Sequence, residues 1–335
     1  MTNNVIASPV EDARWKLIRD ADRHQPRPWG AKRGRERLDT VIGSSQTRSR
    51  SVQDPARTGP WLKASGHVLW SAPMLVPKDV SARGARIRFV EAGAGAPLLF
   101  VHDFAATREV WTAAVTRLAR SFRVVAPDLP GFGGSEKPDP QRYAYGWDAF
   151  SDSLFDLVAA LGLGRVHVCG HGMGGGVALS LAARHPALVH KLVLASALVY
   201  PPKEHALERA GRVPLVGGLL WRQIMGRTLF RAYVQSTIYS GASRVPAGRA
   251  EELYEAYSAP AGRQAAHATL VAIADTRPLV ARLPRVGAET LVIWGRDDAV
   301  APIEHGRRLA RELHGRFEVL ECGRCPPDEV PDAFA

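Results

Sequence analysis

A chain of 335 residues with 46% hydrophobic side chains is long enough for one large α/β domain or two smaller ones. Three cysteines are too few for a disulfide framework, and the acid-bearing opening MTNNVIASPVEDARWKL does not read as a secretory signal. No apolar run approaches the roughly 18 residues a membrane helix needs; PLVGGLLW is the nearest. A reduced, cytoplasmic protein is expected.

The net charge of +11 is unevenly placed. Residues 8–23 have helical spacing. From His24 to Pro60, Lys32 and seven arginines face only Glu36, Asp39 and Asp54 in a stretch with few large apolar residues. Residues 1–75 therefore read as a basic, disordered extension. No nucleic-acid motif accompanies it, so neither nucleic acid nor an anionic membrane is the expected partner of this arm. Met74 stands as an alternative start.

Strands are expected at ARIRFVEAG and APLLFVHD, a helix at REVWTAAVTRLAR, and a buried strand at FRVVAPD. The turn-rich loop LPGFGGSEKPDP and the amphipathic helix WDAFSDSLFDLVAALG follow. Next come strand Val166–Gly170, helix Met173–His185 and strand KLVLAS. Such alternation argues for a mostly parallel, doubly wound sheet. It breaks between Tyr200 and Val286, where GGLLWRQIMGRTLFRAYV and AEELYEAY are helical, and resumes with ETLVIWGRDD, EHGRRLARELH and RFEVLEC. The expected organisation is a core over 76–199, a helical lid over 200–286 and a second core part over 287–335. The chain ends a few residues into what should be its last helix.

The stretch VHVCGHGMGGGVALSLAARHP carries a strand, a glycine-dense turn and a helix, the layout of a nucleophile elbow, G-x-S-x-G. With LLFVHDF, FRVVAPDLPGFGGSEKP, TLVIWGRDDAVAP and ECGRCPPDEVPDAF, it resembles the α/β-hydrolase superfamily, in particular its lidded esterase and epoxide-hydrolase-like branch. The resemblance runs from about Ala85 to the last residue. It implies an α/β-hydrolase fold and a nucleophile, acid and histidine in that chain order. The acid position falls on Asp298. The nucleophile position falls on Gly172 and the histidine position on Arg324. The oxyanion-hole donors fall on the N–H groups of Phe104 and Met173. Where the family pattern reads His-Gly, this chain has His102-Asp103.

Glycine offers no nucleophile, and arginine keeps its proton at any relevant pH, so it cannot serve as a base. The triad is therefore degenerate. Arg324 is expected to form a bidentate ion pair with Asp298, with Asp103 as a second carboxylate partner. Asp103 is also the candidate acid/base, because a carboxylate beside an apolar pocket can have a raised pKa. His102 and His171 are expected to pack and hydrogen-bond below the site. Cys322-Gly323-Arg324-Cys325 is formally C-x-x-C, which with Cys169, His102 and His171 leaves a redox or zinc reading open; no cofactor and no metal are expected. The aromatic residues Trp221, Phe230, Tyr233, Tyr239, Tyr254 and Tyr257 suit either an apolar ligand pocket or core packing.

Three functional readings stand on the sequence. The first is a non-hydrolytic pseudoenzyme that binds a small apolar ligand or a partner. The second is an enzyme (hydrolase, lyase or isomerase) without a covalent nucleophile, using Asp103 as acid/base. The third is an adaptor acting through the basic arm.

Overall fold

The computed structural model describes residues 61–64, 67–70, 75–203, 205–241 and 244–335. The helix expected at 8–23 and most of the basic arm lie outside the described residues. Within the expected N-terminal extension, strands β1 (Trp61–Ala64) and β2 (His67–Trp70) form an antiparallel hairpin, Trp61 opposite Trp70.

The remaining strands make one eight-stranded sheet. They are β3 (Lys78–Ala82), β4 (Ala85–Ala92), β5 (Ala96–Val101), β6 (Phe122–Pro127), β7 (Val166–His171), β8 (Val189–Ala195), β9 (Glu289–Gly295) and β10 (Arg316–Leu320). The spatial order is β10-β9-β8-β7-β5-β6-β4-β3. Pairing is parallel from β10 to β6, while β4 runs antiparallel to both β6 and β3. This is the mostly parallel, doubly wound sheet expected from the alternation, in the arrangement that the resemblance to the α/β-hydrolase superfamily implies. The central strands LLFV, VHVCGH and TLVIWG are buried along their length, as strands covered by helices on both faces must be. Edge strand β3 (KDVSA) is mostly exposed and has no apolar alternation, so nothing in its sequence announced it.

Helices α1 (Thr112–Leu118), α2 (Trp147–Ala160) and α3 (Met173–Arg184) fill the first crossovers. Helix α3 is buried on every side except at its last residue. Its glycines allow this approach: a Cβ at Gly174 would lie 2.2 Å from the Val101 carbonyl oxygen. The chain moves from β5 to β6 on one side and returns to β7 on the other. The loops after β5 and β7 therefore flank the switch point, where α/β sheets place their crevice.

Between β8 and β9 the described chain is helical. It runs through α4 (Ala206–Gly211), α5 (Val216–Leu219), α6 (Arg227–Tyr233), α7 (Arg249–Ser258), α8 (Pro260–Ala272) and α9 (Arg277–Val280). The long helix expected at GGLLWRQIMGRTLFRAYV is broken. It passes from α5 into a π turn at Leu220–Ile224, stops at Met225, restarts behind Gly226, and ends in a second π turn at Val234–Ile238. Glycines at 217, 218 and 226 weaken the helix there. The Trp221 indole N–H is drawn back onto the Leu207 carbonyl at 3.2 Å. Helix α10 (Ile303–Glu312) covers β9 and β10. The chain then closes with α11 (Pro326–Glu329) and α12 (Pro331–Phe334), whose Phe334 is buried with its ring centroid 5.9 Å from that of Trp111.

Candidate functional site

Four loops at the carboxyl ends of the parallel strands converge. The loop after β5 carries Asp103 and Phe104, and the turn after β7 carries Gly172 and Met173. The loop after β9 carries Asp298, and the segment after β10 carries Arg324. Gly172 has φ 53° and ψ −119°, backbone that other residues adopt only with strain.

The Asp103 side chain organises this convergence. Its Oδ1 accepts from the backbone N–H groups of Met173 (2.5 Å) and Phe104 (2.7 Å). Its Oδ2 accepts from an Arg324 terminal nitrogen at 3.2 Å. A Cβ added at Gly172 would lie 2.0 Å from Asp103 Cγ, so the carboxylate fills the space a side chain there would need. Asp298 uses Oδ1 to accept from the N–H groups of Val300 and Ala301, each at 2.9 Å. Its Oδ2 faces the other Arg324 terminal nitrogen at 3.4 Å. Arg324 thus divides its fork between two carboxylates: Asp103 is the second partner expected, while the contact with Asp298 is through one nitrogen and not the bidentate pair expected. The backbone donors already fixed one oxygen of each acid, so a single outward oxygen was left on either side.

Burial alone would raise the Asp103 pKa. The Arg324 charge and the two backbone donors outweigh it and hold the carboxyl below its usual 3.8. The raised pKa expected of Asp103 is not what its surroundings produce. An acid held ionised in this way has no proton to give near neutrality.

The two histidines are neutral and engaged. His102 accepts from the Leu129 N–H at Nε2 (2.9 Å), which places its proton on Nδ1, 2.8 Å from the Asp103 carbonyl. His171 donates from Nε2 to the Arg324 carbonyl at 2.8 Å, leaving Nδ1 buried without a hydrogen-bond partner. Burial lowers both pKa values, and it takes His167 down to about 4.

A pH dependence of stability follows, with its sign fixed. The folded state keeps these histidines neutral, whereas the unfolded chain binds protons below about 6.5. Stability is therefore present above that pH and falls as pH drops towards 4. Each histidine contributes up to about 1.4 kcal/mol per pH unit in that window. The depressed Asp103 adds a further loss only below its usual 3.8. Urea midpoints taken at successive pH values from neutral to mildly acid should fall throughout; a flat profile would contradict this account.

All three cysteines are free and buried. Burial pushes Cys322 up to about 12 and Cys325 well above the usual thiol value, so neither is a poised redox thiol. Among the described residues no His, Cys, Asp and Glu cluster has the geometry to hold a metal ion.

Above the cluster lies a pocket of about 40 Å³, room for roughly three waters. Asp103, Arg324, Glu208 and Tyr233 line one side, and aliphatic residues of the helical insertion, among them Leu270 and Ile273, line another. Of the six aromatics singled out in the insertion, only Tyr233 lines this pocket. Trp221, Phe230, Tyr239 and Tyr257 are buried in packing, and Tyr254 is half-buried. The Tyr233 hydroxyl donates to Glu208 at 2.8 Å. Burial, with the Glu208 carboxylate beside it, keeps that hydroxyl protonated. Glu208 was not foreseen. Its signal was the spacing His205-x-x-Glu208, a capping box at the start of α4.

A family model of the alpha/beta hydrolase fold matches residues 96–326. The chain belongs to the alpha/beta hydrolase fold family. Within it, the chain is similar to a 2-hydroxymuconate semialdehyde hydrolase of a Pseudomonas species, 32% identical over 265 residues, covering 75% of this chain and 87% of the relative. An uncharacterised protein of Mycobacterium tuberculosis is 30% identical over 273 residues, covering 76% of this chain and 77% of that one. Among solved structures, a meta-cleavage product hydrolase of Pseudomonas fluorescens superposes with a TM-score of 0.64 at 25% identity. That match covers 77% of this chain and 94% of the other.

Proposed function

We propose that the chain is a non-hydrolytic member of the family, a hydrolase scaffold whose reaction site is filled by its own side chains. In this reading Gly172 stands at the nucleophile position, Arg324 at the histidine position and Asp298 at the retained acid position. The N–H groups of Phe104 and Met173 are the former oxyanion-hole donors. One observation carries the proposal: a single carboxylate oxygen of Asp103 accepts from both of those donors. Negative charge developing on a substrate would meet occupied donors and a fixed anion. Stabilisation of that charge is usually the largest catalytic contribution in such sites.

The names of the relatives point to hydrolysis, and the residues of this chain point away from it. Asp103 as acid/base is disfavoured because its carboxyl is held ionised by the Arg324 charge and two backbone N–H donors. We assign the scaffold a binding role, for a small apolar molecule or a protein partner. The helical insertion acts as the lid, since its Leu270 and Ile273 line the pocket over Asp103 and Arg324. Free, buried thiols suit a reducing compartment, and we place the protein in the cytoplasm.

The test is direct. Purified wild-type protein is offered activated short- and medium-chain esters and 2-hydroxymuconate semialdehyde, and turnover is expected to equal the buffer rate. Saturable turnover by the wild type, lost in Asp103→Asn, would overturn the reading in favour of the Asp103 enzyme.

A further inference from the structure

The outer surface of the helical insertion departs from the rest of the described chain. Among the large apolar side chains exposed there, Val213, Leu215, Val216, Leu219, Ile224 and Leu229 fall within 213–229. Val271 is also exposed, on α8, which packs against α5 and the first π turn. Leu215 is 94% exposed and has φ 66°, so the backbone holds a bare leucine out from the surface. From Arg209 to Arg231 the sequence has five arginines and no acidic residue. Arg209, Arg222, Arg227 and Arg231 are exposed, and of these four Arg227 meets a carboxylate among the described residues, Glu251 at 2.5 Å.

We propose that this face docks onto an anionic lipid surface, with the aliphatic tip around Leu215 and Leu219 seated below the headgroups and the flanking arginines against lipid phosphates. Three observations choose this occupant. A second copy docking symmetrically would bring the same arginine-rich patch against itself, like charge on like. A protein partner is ordinarily gripped by exposed Trp, Tyr and Arg anchors, with Leu and Val under-represented. Here the exposed apolar residues are Val, Leu and Ile alone, while the aromatics Trp221, Phe230 and Tyr233 point inward and are buried. Exposed aliphatic residues interspersed with arginine are also the composition that lies in a membrane interface. No helix of the described residues is long and apolar enough to cross a membrane, so the contact is peripheral. The proposal does not depend on the reading of the reaction site.

The test uses the full chain with Leu215→Cys carrying an environment-sensitive fluorophore. The native cysteines are all buried, so labelling is confined to position 215. A control label at the exposed Arg311, on α10, reports any general effect of the vesicles. With vesicles of phosphatidylcholine mixed with phosphatidylglycerol, the label at 215 should brighten and shift to the blue. It should change little on phosphatidylcholine alone, and the label at 311 should stay silent on both. In co-sedimentation, Leu219→Asp with Ile224→Asp should lower the vesicle-bound fraction roughly tenfold or more. Arg209→Glu with Arg222→Glu should do likewise, since each basic side chain near an anionic surface contributes about a fivefold factor.

Vesicle binding that leaves the label at 215 silent would place the contact elsewhere and overturn the proposal. So would an equal response to both lipids. A response to rising protein concentration without lipid would assign the face to a second copy. A response to polyglutamate but not to vesicles would assign it to an acidic protein.

Discussion

Arg324→Ala is expected to destabilise the folded chain by about 3–5 kcal/mol, the cost of leaving buried carboxylates without their cation. The guanidinium is only 4% exposed and is the cation that the side chains of both Asp103 and Asp298 meet. Neither acid can leave, because each also accepts two backbone N–H groups. Arg324→Lys should recover little, since one ammonium cannot span both carboxylates as the fork does. Asp103→Asn in the Arg324→Ala background should recover part of the loss by removing one of the stranded charges. Urea unfolding followed by tryptophan fluorescence measures all three. An unchanged midpoint for Arg324→Ala would remove the ion cluster from the account of this fold.

Gly172→Ser alone is expected to gain no hydrolysis and to weaken the fold. The serine Cβ would lie 2.0 Å from Asp103 Cγ. A non-glycine residue at that backbone geometry also carries strain of about 1–3 kcal/mol. Asp103→Gly removes the obstruction and frees the N–H groups of Phe104 and Met173. Arg324→His then sets a base beside Asp298. The triple variant should hydrolyse activated esters about 10²–10³-fold faster than the wild type, a modest part of what an intact triad is worth. The pair Gly172→Ser, Arg324→His with Asp103 left in place should remain at the wild-type rate. If the triple variant folds and gains nothing, Gly172, Arg324 and Asp298 do not stand at the triad positions. If the pair is active, the Asp103 carboxylate is not the obstruction.

The sheet was legible because its central strands are buried apolar runs separated by helices of clear period. Edge strand β3 was not, since a strand with one exposed side and little apolar content leaves no alternation to read. Helix α8 was missed for another reason: PAGRQAAHATLVA opens on a proline and is rich in small residues, so its period is weak. The glycine at 172 and the arginine at 324 could be named from the sequence alone. What Asp103 does with its two oxygens could not, because that depends on how closely the loop after β5 approaches the turn after β7. The Glu208–Tyr233 contact likewise joins residues on two helices of the insertion, and no local pattern brings them together.

Leu215 shows how function can be set against durability. Its φ of 66° and ψ of −49° suit glycine, and holding a leucine there costs roughly 1–3 kcal/mol. Heat-based selection would therefore favour Leu215→Gly, a change that relieves the backbone and removes the most exposed apolar side chain of the tip. A laboratory lineage bred only for heat resistance would discard that side chain first. Folding alone gives no reason to bear that cost.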